Sequence, residues 1–384
     1  MAVAVVTDST ACLSAQLAAG GGIRVVPLRV VLGDRAADED IDGSAAADSD
    51  AADSGAADSG AADSGAAEGG TAGEPRPARG PDVPGGAGAE PRPARGPGVP
   101  RGAGGEPGEA AGSRVPRDAA GVGGGRGGDG AAGDGAGCED RADLAAAITV
   151  ADVEAVLHAG GRVGTASPSP DRFATAYAAA AAAGAESIVS VHLSAQLSGT
   201  LNSASLAAAD APVPVRVVDS QSIGMGRGIA VLAAAAAAQA GQDADAVAAA
   251  AAGRAARLRS IFALDTPGYL QAGGRLERTP ALPASGLTAR PLLYVRDGRL
   301  VLLEKARTPA AAIGRLVQLA AEFAADQPVD LAVQYLGDVG RAAAFAGRLA
   351  ERIPGVRHTY LAAADAVICA HTGPGMLGVV VAPY

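Results

Sequence analysis

Residues 187–200 read SIVSVHLSAQLSGT. The first seven form a strand-like run. The next seven are a hydroxyl-rich turn around Gly199, leading into an Ala-rich stretch suited to a helix. The same pattern recurs outward from this segment. Residues 3–6 are a β-branched run ending in Thr7-Asp8-Ser9-Thr10, residues 25–32 read as a second strand, and residues 215–218 as a fourth, closed by Asp219-Ser220. Strands alternating with Ala-rich helices predict an α/β fold with a mostly parallel sheet covered on both faces. Beyond about residue 260 the pattern changes. Residues 292–295 and 300–304 flank Arg296-Asp297-Gly298-Arg299, a hairpin signal, and residues 261–264, 331–335 and 377–381 add further strands. A second α/β unit with an antiparallel or mixed sheet is expected, with the boundary near residues 256–259.

Within the first unit the composition breaks. Residues 44–140 contain ADSGAADSGAADSGAA, then EPRPARGP twice, then Gly-rich sequence. With almost nothing large and apolar to offset the entropy of ordering, this low-complexity stretch is expected to be a disordered insert. The expected organisation is therefore 1–43 plus 141–257 for the first unit, 44–140 for the insert and 258–384 for the second unit. The insert holds 16 acidic against 8 basic residues, so it carries most of the net charge of −10. Its acids stand five apart without a closing bidentate Glu, which argues against a calcium-binding array.

Several function classes recede on composition alone. Aromatic residues make up 3% of the chain, with no Trp, so a base-stacking nucleic-acid platform is not expected. There is no basic stripe either. The three cysteines are too few and too scattered for a disulfide or zinc framework, and the four histidines lack metal-ligand spacing. The opening VAVVTDST has no basic leader character. No run of about 18 apolar residues suggests a membrane span. A soluble, cytoplasmic protein without stable membrane insertion is the expectation. Walker-type and GxSxG signatures are absent, and Gly224-Met225-Gly226-Arg227-Gly228 resembles a dinucleotide loop only superficially. No cofactor, metal or catalytic residue is assigned.

The strand ends that finish in hydroxyls are more informative: Thr7 to Thr10, Thr165 with Ser167 and Ser169, Ser194 with Ser198 and Thr200, and Asp219 with Ser220 and Ser222. Each alone reads as a helix N-cap. Four such ends in one sheet point to a ligand crevice at the carboxyl edge, where free backbone N–H groups suit an anion. Ser198-Gly199-Thr200 is the best single candidate. Gly273-Gly274-Arg275 sets a guanidinium on bare backbone, His371 stands in a Gly/Pro turn before the last strand, and Tyr269 reads as packing.

Taken together, VAVVTDSTACLS, VVPLRVVLGD, DEDIDG, TASPSPDRF, HLSAQLSGTLNSA, VRVVDSQSIGMGRG, LDTPGYLQAGGRLER and HTGPGMLGVVV resemble, in order, the signature blocks of the DegV family. They cover nearly all of the chain outside the insert. The resemblance implies a protein that holds a long-chain fatty acid between two domains. The carboxylate would meet Thr165 and Ser198, aided by the Gly199 N–H and His371, and Arg275 would serve the head-group or a docking partner. It further implies a non-enzymatic subunit that presents the carboxylate to an ATP-dependent fatty acid kinase for acyl-phosphate formation. TASPS stands where the family has TSQPS, and LSGTLN where it commonly has LSGTYN, but both hydroxyls are kept. Two competing readings remain open: a stand-alone phosphoryl- or acyl-transfer enzyme using the hydroxyl-rich crevice, and a regulatory interaction protein working through the acidic insert.

Overall fold

The first elements in chain order are β1 (Val3–Asp8), α1 (Ala15–Gly20), β2 (Ile23–Val26), β3 (Arg29–Leu32), β4 (Arg35–Asp38), α2 (Val150–His158), β5 (Val163–Ala166), α3 (Pro170–Ala182), β6 (Ser187–His192), α4 (Thr200–Ala209), β7 (Val215–Asp219), α5 (Met225–Gln239) and α6 (Ala244–Arg257). This computed structural model describes residues 2–33, 35–38, 147–276 and 290–384. The disorder expected for residues 44–140 lies outside them.

β1, β2, β6 and β7 form a parallel sheet in the order β2-β1-β6-β7. β6 is buried along its whole length, as a strand covered on both faces must be. Phe173 and Tyr177 of α3 and Ala204 of α4 pack on one face. Val231 of α5 and Val247 of α6 belong to the core cluster on the other.

The remaining elements are β8 (Arg259–Ala263), α7 (Gly268–Ala272), β9 (Arg290–Arg296), β10 (Arg299–Ala306), α8 (Pro309–Ala324), β11 (Val329–Tyr335), α9 (Val339–Arg352), β12 (Val356–Ala363), α10 (Ala366–Thr372) and β13 (Leu377–Pro383). Six of their strands make a mixed sheet in the order β10-β9-β8-β13-β11-β12, in which only β11 and β12 run parallel. The Asp-Gly hairpin forms between β9 and β10, with Asp297 at φ 50° and Gly298 at φ 75°, the geometry a two-residue I′ turn requires. The change of sheet comes between α6 and β8.

Three details differ from the sequence reading. Residues 25–32 are two strands in different sheets. Pro27 offers no N–H for a ladder, and the chain leaves the parallel sheet there to pair β3 with β4 and β5. Thr165 therefore lies on β5, in a separate three-stranded antiparallel sheet, and only three of the four hydroxyl ends share the parallel one. β12 is an edge strand whose Arg357, His358 and Thr359 are exposed, so it showed no alternation.

One face of the mixed sheet packs on α8 and α9 through Leu331, Val333 and Val379. The opposite face, with Phe262, Ala332 and Val380, joins the same core cluster as the parallel sheet's helices. Polar clasps cross this interior. Arg254 of α6 donates to Asp330 at 2.7 Å, the Met225 N–H to Gln334 Oε1 at 2.7 Å, and Ser194 to the Gly298 carbonyl at 2.7 Å.

Candidate functional site

The order of the parallel sheet reverses between β1 and β6, and α/β sheets commonly bind ligands at that point. Here it is filled by protein. Asp8 at the end of β1 takes Arg227 Nη1 at 2.5 Å and contacts His192 Nδ1 at 2.9 Å, and all three residues are fully buried. Arg227 Nη2 also donates to the Asp8 carbonyl and to Thr10 Oγ1. Ser190 and Tyr177 extend the network from His192 Nε2. Burial alone would push the Asp8 carboxyl up, but the Arg227 charge and the His192 contacts outweigh it and hold the group well below the usual carboxylate range. Burial likewise lowers His192, and raises the Tyr177 hydroxyl to about 12.

Most of the hydroxyls at these strand ends serve the fold. Thr7 donates to the Val191 carbonyl, Ser9 Oγ accepts the Leu28 N–H, Thr10 donates to Asp8, and Ser220 donates to the His192 carbonyl. Asp219 takes the Gln221 N–H.

Beyond the filled switch point, between the two large sheets, lies a cavity of about 880 Å³, mouth included. Its mainly apolar wall includes Leu28, Ile223, Phe262, Leu270, Ile368 and Met376. Thr165, Ser198, Arg275 and His371 line it too, so four of the five expected residues come together although they lie on four separate segments. Gly199 is not part of the wall. It begins α4 with an ordinary φ of −73°, and a Cβ there would meet only Ser167 Oγ at 3.6 Å.

The hydroxyls form two groups. Thr165 Oγ1 is 2.8 Å from His371 Nε2. Ser198 Oγ is 2.9 Å from both Ser167 Oγ and Thr200 Oγ1, and accepts the Thr200 N–H. Ser167, a cavity residue two positions after Thr165, stands in the sequence among the strand-end hydroxyls but not among the expected site residues. His371 sits in the last turn of α10, whose start Asp365 caps through the Ile368 N–H. Gly373, at φ 71°, ends the helix against the ring of Tyr269, which packs as expected. Burial, then the Arg275 charge, lowers the imidazole to about 4, so His371 is neutral at pH 7. Arg275 donates to the Leu197 and Gly273 carbonyls, which holds its guanidinium beside the Ser198 turn.

No group of three or more His, Cys, Asp or Glu able to hold a metal is found among the described residues. No helix among them is long and apolar enough to cross a membrane.

Residues 139–384 match the family model DegV, described as an uncharacterised protein of the DegV family. The chain belongs to the DegV family. A DegV domain-containing protein of Streptomyces coelicolor is 46% identical over 219 residues, 57% of this chain and 78% of that protein. A DegV domain-containing protein of Mycobacterium tuberculosis is 38% identical over 218 residues, 56% and 78% of the two chains. Among solved structures, a DegV family protein from Thermus thermophilus described as fatty-acid binding superposes with a TM-score of 0.68 at 23% identity, covering 100% of both chains. Bacillus subtilis DegV, described as a fatty acid binding protein, gives 0.66 at 20% identity over 100% of both. At these identities the likeness speaks to the DegV fold.

Proposed function

We propose that this DegV chain encloses one long-chain fatty acid, with the tail in the cavity between its two domains and the carboxylate at Thr165 and Ser198, and presents that carboxylate to a separate ATP-dependent kinase. The observation that carries the reading is the hydroxyl rim of an otherwise mainly apolar cavity. Burying an acyl chain gains about 0.8 kcal/mol per methylene, so a sixteen-carbon chain offers about 11 kcal/mol at most, before the entropy of association is subtracted. A carboxylate at such a mouth is costly unless hydrogen-bonded. If His371 Nε2 carries the proton it donates to Thr165 Oγ1, which frees the Thr165 hydroxyl to donate to the carboxylate. Ser198 supplies a further donor. The fatty acids described for DegV relatives supply the ligand class.

Native mass spectrometry of the purified chain with added palmitate and oleate tests the carrier role. One bound fatty acid is expected, and repeated observation of lipid-free protein alone refutes it. For the hand-over, Arg275→Ala should keep near wild-type lipid affinity while acyl phosphate formation by an added fatty acid kinase falls. Undiminished phosphorylation would remove Arg275 from that role.

A further inference from the structure

β11 reads VDLAVQY. Its odd residues Val329, Leu331 and Val333 pack in the cluster under α8 and α9, so by strand alternation Asp330, Ala332 and Gln334 face the interior between the sheets. Asp330 there is matched by Arg254. Gln334 is matched only in part. It is 5% exposed and lines the cavity, and its Oε1 accepts the Met225 N–H at 2.7 Å. That bond fixes which end of the amide is the oxygen. Among the described residues no protein acceptor is found for the Nε2 donors. The start of α5 is shaped around this side chain, since Gly224, at φ 60°, would drive any Cβ into the Gln334 amide. Ser260, 2% exposed, lines the same cavity, and no partner for its hydroxyl is found among the described residues either.

A donor that faces a mainly apolar cavity without a partner among the described residues calls for an explanation. A plain hydrocarbon tail would leave the Gln334 N–H groups unpaired, a cost that Leu or Met at this position would avoid. We propose that the cavity accepts an acyl chain bearing an oxygen on an interior carbon, a hydroxy or oxo fatty acid, with Gln334 Nε2 as the donor to that oxygen. Because Nε2 only donates, a hydroxyl and a ketone serve equally. The inference rests on the fatty-acid reading of the cavity and deepens it.

The test displaces a fluorescent fatty acid from delipidated wild-type protein with stearate and with stearates hydroxylated or converted to ketones at successive carbons. One position should stand out, with both oxygenated forms binding roughly 3- to 10-fold tighter than their positional isomers. Gln334→Met should abolish that preference while stearate still binds. Equal affinity of all isomers in the wild type, as expected if Nε2 holds a water only, overturns the proposal, and the ligand series decides this even if the variant fails to fold. A positional preference unchanged in Gln334→Met also overturns it. Failure of stearate and every isomer alike to bind would instead refute the fatty-acid reading itself.

Discussion

Thr165→Val and Ser198→Ala should each weaken fatty-acid binding, and together they should lose less than the sum of the two. Each substitution removes one hydroxyl donor while nearly keeping side-chain volume. A hydrogen bond to a charged group contributes about 1.5–3 kcal/mol, or roughly 10- to 150-fold in affinity. Thr165 and Ser198 are only partly buried, and water at the rim can replace part of a lost bond, which favours the lower end of that range. Within the protein the two hydroxyls belong to separate groups, Thr165 with His371 and Ser198 with Ser167 and Thr200. Effects on the stability of the empty protein should therefore add. Effects on binding should not, because one carboxylate links the two sites. Titration of a fluorescent fatty acid into the wild type, both single variants and the double variant measures the coupling, with circular dichroism confirming the fold. Wild-type affinity in the folded double variant would refute the head-group assignment.

Arg227→Met should destabilise the protein by about 3–5 kcal/mol in urea unfolding, because it strands the fully buried Asp8 carboxylate; a loss below about 1 kcal/mol would show that His192 compensates. His371 titrates near 4 when folded against 6.5 in a free chain, so below pH 6.5 the unfolded state binds the extra proton. Its contribution is therefore intact above pH 6.5 and should decline by about 3 kcal/mol as the pH falls toward 4. Comparison of unfolding curves for the empty wild type and His371→Gln across that window checks it, and parallel pH profiles would refute it. Deletion of residues 45–137 should leave fatty-acid affinity unchanged and the melting temperature within a few degrees, since loop closure depends weakly on length; a larger fall in thermal scans would show that the stretch packs on the rest.

Much of the fold was legible because periodicity and turn chemistry are local. The buried run of β6, the Asp-Gly hairpin of β9 and β10 and the Ala-rich helices each carry their own signal within a few residues. The division of residues 23–32 between two sheets was less legible, although Pro27 marked it, because a continuous β-branched run gives no sign of which partner each half will find. At the cavity, the sequence supplied the hydroxyl blocks and, through the order of its motifs, the DegV resemblance. A lone Gln in VDLAVQY was visible too, but nothing nearby in the chain gave it a meaning.

By itself, then, the sequence determined the α/β class, the family and the residue types at the rim. Only the tertiary structure decided which of many similar hydroxyls line the cavity. Thr7, Ser9, Thr10 and Ser220 look no different in sequence from Thr165 and Ser198. The first four are committed to backbone or carboxylate partners, three of them on other strands or loops, and of these only Thr10 reaches the cavity that Thr165 and Ser198 line. The same holds for Asp8 and Arg227, which stand 219 positions apart and close the switch point as a buried pair. Hydrogen-bond satisfaction and burial depend on partners brought from distant parts of the chain, and no local pattern encodes them.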